Sequence, residues 1–185
     1  MTKTSSSLRT ISIFVALVTT SASPNLPLFA QTGTTPIQHH EVGVLNREQA
    51  ATILPATVFY KGQSAPVQAR NSAGIRFVAD KLVLTALVDT SGYSSAVQQT
   101  YQGYLLNEVQ LKIGDKTLAP GAYGFGFIAG DTVVVMDIAG NEVLRASTRR
   151  DDQLARPNPL QIVADPSAPG HFRLYLGRSF VVLSQ

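Results

Sequence analysis

The sequence predicts a mainly β protein, an antiparallel β-sandwich with a β-barrel as the alternative, built from about ten short strands and one short N-terminal helix. Three observations carry this. Short apolar-rich runs recur from residue 57 onward, bounded by turn residues, as strands are. Gly114-Asp115, Gly130-Asp131 and Gly140-Asn141 fall between neighbouring runs, where a residue tolerant of positive φ suits a tight hairpin. No helix-length segments alternate with the runs, which disfavours a parallel βαβ architecture.

Residues 1–30 read as a cleaved secretory signal. Lys3 and Arg9 precede an apolar run from Ile11 to Val18, and small residues follow, with cleavage after Ala22 or Ala30. The run is shorter than the roughly 20 apolar residues a membrane-spanning helix needs, so the mature chain is expected to carry no transmembrane segment. Residues 31–44 are polar and read as a flexible leader, and 45–185 as a single β domain. The expected location is outside the cytoplasm, either periplasmic or extracellular. With no Cys in the chain, neither a disulfide nor a thioether-linked lipid is available, and burial alone must hold the domain together. A mature chain of roughly 155 residues is long enough to do so.

The elements follow in order. Asn46 is a helix cap with Gln49 at capping-box spacing, Ala50, Ile53 and Leu54 make an apolar stripe, and Pro55 ends the helix. The predicted strands are Val58–Tyr60, Val67–Asn71, Ile75–Val78, Leu82–Val88, Leu105–Ile113, Ala122–Ile128, Thr132–Asp137, Glu142–Ser147, Leu160–Ala164, Phe172–Leu176 and Phe180–Leu183. Leu82–Val88 and Val133–Met136 are apolar on both faces, so they should be central and covered on both sides. Between Gly121 and Phe127 the aromatics Tyr123, Phe125 and Phe127 alternate with Gly124 and Gly126, giving one heavy face and one bare face. The heavy face should enter the core and the bare face should admit a close cover, for which the 46–54 helix is the natural element. Ser94–Tyr104 reads as a surface excursion: Tyr93, Val97, Tyr101, Tyr104 and Leu105 fall at helical spacing, bracketed by Gly92 and Gly103.

Charge narrows the function. Removing Lys3 and Arg9 from the 15 basic residues leaves 13 against 12 acidic ones, a mature net charge near +1. That is no footprint for nucleic acid, which needs clustered excess Lys and Arg.

Catalytic constellations are sparse. Asp89-Thr90-Ser91-Gly92 follows an apolar strand much as the Asp-Thr-Gly loop of aspartic peptidases does, but Ser91 is inserted. A second carboxylate would have to be Asp137, in Asp137-Ile138-Ala139-Gly140, which lacks the hydroxyl residue; a hydrolase using Asp89 and Asp137 is the enzymatic alternative, and two turn-capping aspartates the plainer reading. His39-His40-Glu41 lacks the spacing that converges metal ligands. His171 opens a late strand, with no serine in a nucleophile-elbow setting to complete a triad. Gly121, Gly124, Gly126 and Gly130 sit in strand sequence, whereas a phosphate cradle opens a helix. Arg145, Arg149, Arg150, Asp151, Asp152 and Arg156 read as a solvated stretch of weak ion pairs. No residue set implies a catalytic group, a cofactor or a metal. Tyr93, Tyr101 and Tyr104 are the candidate binding residues, since tyrosine on a surface excursion offers rigid amphipathic contact area; the plainer reading is that two of the three bury against the sheet edge.

The phrase Lys112-Ile113-Gly114-Asp115-Lys116-Thr117-Leu118-Ala119-Pro120-Gly121-Ala122-Tyr123 resembles a hairpin phrase of uncharacterised exported bacterial β-sandwich proteins of unknown function. The resemblance covers about a dozen residues and implies secretion and β architecture, with no activity and no catalytic residue attached. The expected function is therefore a non-enzymatic domain that binds an envelope ligand or a protein partner, with a structural or assembly role in the envelope as the further alternative.

Overall fold

The computed structural model describes residues 42–77 and 80–185. The signal at 1–30, the leader up to residue 41, His39-His40-Glu41 and Val78 lie outside the described residues. Fourteen strands and two helices run in the order β1 (Gly43–Leu45), α1 (Arg47–Ile53), β2 (Thr57–Tyr60), β3 (Gln63–Arg76), β4 (Leu82–Val88), α2 (Ser95–Thr100), β5 (Gly103–Asn107), β6 (Leu111–Ile113), β7 (Lys116–Leu118), β8 (Gly121–Ile128), β9 (Thr132–Met136), β10 (Glu142–Ser147), β11 (Arg149–Arg150), β12 (Leu160–Ala164), β13 (Phe172–Leu176) and β14 (Ser179–Ser184). They form two antiparallel sheets. The larger has the order β1-β3-β4-β5-β8-β9-β10, with β2 attached to β3; the smaller has the order β12-β13-β14-β6-β7, with β11 attached to β14. Neither closes into a barrel, so the sandwich stands and the alternative falls.

Alternation fills the space between the sheets. Ile75, Val83, Leu105, Phe125, Val133, Val135 and Leu144 from the large sheet meet Leu111, Ile113, Leu160, Ile162, Phe172, Leu174, Val181 and Leu183 from the small one. Tyr123 and Phe127 pack against this core beside fully buried Phe125, as the heavy face of the Gly-aromatic strand predicts. The two doubly apolar runs are interior strands, β4 between β3 and β5 and β9 between β8 and β10. On the outer face of the large sheet, Ala50 of α1 and Leu54, its C-cap, bury Leu84 and Ala86. Further along that face, Val58, Tyr60, Ala65, Tyr93 and Tyr101 bury Val134 and Met136.

Several expectations need correction. Residues 43 and 44 are strand rather than leader: Val44 pairs with Ile75 and Leu45 with Gly74. Leu105–Ile113 is two strands, because the Asn107 side chain accepts from the Val109 amide and donates to the Ala119 carbonyl, breaking the run at a local turn. Val67–Asn71 and the start of Ile75–Val78 belong to one long strand, β3, irregular between Val67 and Ser72. The helical reading of the Ser94–Tyr104 excursion holds, as α2, so the described residues carry two helices where the fold expectation counted one. The capping box at Asn46 forms as read: the Gln49 amide donates to Asn46 Oδ1 at 2.8 Å and the Asn46 amide to Gln49 Oε1 at 2.9 Å.

The turns follow the glycine signals. Gly114, Gly130 and Gly140 all have positive φ, and Gly114-Asp115 joins β6 to β7 as a two-residue hairpin. A further two-residue hairpin joins β2 to β3 through Lys61 (φ 47) and Gly62 (φ 81), the paired positive-φ geometry that matches strand twist.

Candidate functional site

The segment from Tyr93 to Gly103 builds the most site-like part of the molecule. It opens with a turn in which the Tyr93 amide bonds the Thr90 carbonyl, runs through α2, and ends where the Tyr101 amide caps onto the Val97 carbonyl. Its helical spacing is real, and that spacing turns the tyrosines inward. Tyr101 stacks on Tyr60 with ring centroids 3.8 Å apart, Tyr93 meets Tyr101 edge-on at 5.6 Å, and the Tyr93 hydroxyl donates to the carbonyls of Tyr60 and Gln63 at 3.0 Å. Tyr101 is 1% exposed and Tyr93 6%. Tyr104 is half-buried and packs against both clusters on the outer face of the large sheet. Two of the three candidate tyrosines, Tyr93 and Tyr101, are thus core, with Tyr104 half-buried beside them: burial raises the Tyr101 phenol well above the ordinary tyrosine range, and its neighbours Tyr93, Tyr60 and Tyr104 add to that.

The bare face of β8 accounts for this burial. A Cβ on Gly124 would lie 2.9 Å from Tyr101 Cδ2 and 3.0 Å from Tyr60 Cε2, and one on Gly126 would collide with the Thr100 carbonyl oxygen. The close cover expected over these glycines is present, supplied by α2 and Tyr101 instead of α1, which sits over β4.

With the apolar stripe of the excursion facing inward, its polar side faces out. Gln99, Thr100 and Gln102, with Phe127, Ile128 and Ala129 of β8 and the turn beyond it, line an open cleft of about 500 Å³. Gln102 is fixed on both ends: its Nε2 donates to the Phe127 carbonyl at 3.2 Å and its Oε1 accepts from the Phe127 amide at 2.9 Å. The lining holds three polar side chains and an apolar floor, with no ionisable group. That Gln99, Gln102 and Ile128 share a cleft was not legible in the sequence, since it takes the packing of α2 over β8 to bring them together.

The carboxylates of the enzymatic alternative sit in separate turns. Asp89 accepts from the Ser91 amide at 3.0 Å, and that bond holds its carboxyl below the ordinary range. Asp137 accepts from the Asn141 side chain and amide, both at 2.9 Å, with the same effect. Each caps its own turn, and no hydrogen bond joins the two, so the shared-proton arrangement of a carboxylate pair is not formed. His171 Nδ1 lies 3.2 Å from the Pro169 carbonyl, beside a second cleft of about 310 Å³ lined also by Phe77, Phe172 and Ser184. Among the described residues no three His, Asp or Glu side chains converge as metal ligands do.

The charged stretch is partly ordered. Glu142 pairs with Arg145, and Arg150 with Asp152. Arg149 lies over the Phe180 ring at 5.1 Å, with Arg173 at 4.8 Å from the same ring. Buried Asp165 accepts from Arg173 at 2.8 Å and from the Ser167 amide and hydroxyl. The Tyr175 hydroxyl donates to Asp151 at 2.9 Å. This network ties the Asp151–Pro159 loop to the small sheet.

Fold and site define a two-sheet β-sandwich with an uncharged cleft beside a short helix. Comparison with protein-family models, curated proteins and solved structures finds no match to the chain. Among the described residues no helix is long and apolar enough to cross a membrane.

Proposed function

We propose that the chain is an exported, non-enzymatic binding domain of the cell envelope and that the cleft beside α2 holds its ligand. The lining carries this reading: an apolar floor with amide and hydroxyl groups, and no acid or base, suits recognition of a neutral polar molecule and supplies nothing for proton transfer. Gln102, clamped by the Phe127 backbone, is a preorganised wall, while Gln99 is exposed and available to a ligand. A volume of about 500 Å³ lies within the range of small-ligand sites. A neutral saccharide fits this chemistry best, because its hydroxyls match amides and its C–H faces match Phe127 and Ile128.

The test is an array of envelope glycans and peptides, followed by titration calorimetry of the best hit. Gln99→Ala and Ile128→Ser should each weaken a cleft ligand about tenfold, the loss of one hydrogen bond or one apolar contact. Binding that survives both changes would place the ligand elsewhere.

A further inference from the structure

We propose that the outer edge of β2 is a docking edge for an extended, uncharged peptide segment bearing apolar side chains, distinct from the cleft. β2 pairs with β3 alone. The Val67 amide bonds the Ala56 carbonyl at 2.8 Å, and alternation from that bond makes 58/65 and 60/63 the hydrogen-bonded pairs of the hairpin. The amides and carbonyls of Thr57 and Phe59 therefore point away from β3. Among the described residues no main-chain bond reaches either of them. The next outward position, Lys61, is already used: its amide donates to the Ile138 carbonyl at 2.8 Å. One end of the edge is thus closed by the β9–β10 turn, and among the described residues the remainder is unpaired beside it.

The side chains agree. Phe59 is 55% exposed and Ile138 51%, two large apolar groups at the open edge and at the turn that closes it. Natural sheets blunt exposed edges with short length, charge, bulges or proline, and of these β2 has only its short length. The edge strand β10 is blunted further, with a register shift at Glu142/Leu144 and the Glu142–Arg145 ion pair. Thr57-Val58-Phe59-Tyr60 carries neither a charge nor a bulge. A second copy of the chain is the poorer occupant: a stable dimer needs about 1,000 Å² or more of buried surface, and β2 offers four residues. A short extended peptide needs only the backbone ladder and one or two side-chain grips, the recognition mode of strand addition. β2 itself has no charged side chain to pair with a charged segment, so the apolar Phe59 and Ile138 are the grips it offers.

The probe is an acetylated, amidated Val-Thr-Val-Thr-Val peptide, titrated onto the mature chain with amide exchange followed by NMR. The expected result is saturable binding that slows exchange of the Phe59 amide at least tenfold. Phe59→Pro removes the outward donor together with the exposed ring, at a position where an edge strand tolerates proline on its unpaired side, and should weaken binding at least tenfold. Two peptides N-methylated on alternate residues supply the arm that needs no protein variant: one pattern abolishes binding and the other preserves it. Equal binding by both, unchanged Phe59 exchange, or full binding by folded Phe59→Pro overturns the proposal. So does a concentration-dependent dimer that Phe59→Pro dissociates, which would make the second copy the occupant.

Discussion

Tyr101 separates the two readings of the tyrosines most directly. Its ring is buried between Tyr60, Tyr93 and the bare backbone of Gly124, but its hydroxyl has no hydrogen-bond partner among the described residues. A buried hydroxyl without a partner carries a desolvation cost of about 1–3 kcal/mol, so Tyr101→Phe, which keeps the ring and deletes the oxygen, should stabilise by about 1 kcal/mol. For a domain of this size that is a rise in Tm of about 2–4 °C. Tyr101→Ala removes the stacked ring and should cost about 3–5 kcal/mol. Urea denaturation followed by far-UV circular dichroism measures both, with an unchanged m-value as the control. An alkaline series adds an independent readout. The folded-state pKa of Tyr101 is raised, so its contribution is intact below the unfolded value near 10 and lost as pH rises beyond it. Tyr60, Tyr93 and Tyr104 are shifted in the same direction, so Tyr101→Phe should flatten the alkaline decline without abolishing it. A loss of more than 1 kcal/mol in Tyr101→Phe would refute the reasoning, since it would mean that the hydroxyl makes a stabilising bond.

Two further outcomes follow from the same packing and charge arguments. Gly126→Ala drives a methyl into the Thr100 carbonyl and should destabilise by about 1–3 kcal/mol while loosening α2, read as faster amide exchange at Tyr101. The carboxyl of Asp165 is held far below its ordinary range, first by Ser167 and then by Arg173, so its contribution is complete above the unfolded pKa of about 3.9 and is lost as pH falls below it; Asp165→Asn should cost about 2 kcal/mol at neutral pH and flatten the acid limb of a pH–stability curve, and an unchanged limb would sink the assignment.

What the sequence made legible was whatever a single strand or turn decides by itself. Val133-Val134-Val135-Met136 had to be covered on both faces because each face is apolar, whatever the cover. Asn46 with Gln49, and the positive-φ glycines at 114, 130 and 140, act over three or four residues and formed as read. What depended on register was not legible. Asp165 meets Arg173 only because β12 and β13 pair with Ala164 opposite Phe172, and Asp151 meets Tyr175 only because the loop beyond β11 returns over the small sheet. β1 was missed for the same reason: three residues carry no periodicity, and Gly43–Leu45 is a strand because β3 lies beside it.

The orientation of the excursion is the instructive case, since the pattern was visible and its direction was left between two readings. Tyr93, Val97 and Tyr101 at helical spacing define a stripe, and a stripe of that kind faces whatever surface can receive it. Gly124 and Gly126 create that surface by leaving β8 without side chains on one face, close enough for a tyrosine ring and a helix-end carbonyl to touch the backbone. Once the stripe is inward, Gln99 and Thr100 are set at the cleft by the helix itself, and Gln102 is locked beside them by the Phe127 backbone. The Gly-aromatic alternation of β8 therefore does two things at once. Its aromatics fill the sandwich core, and its glycines decide which side of α2 is left facing the cleft.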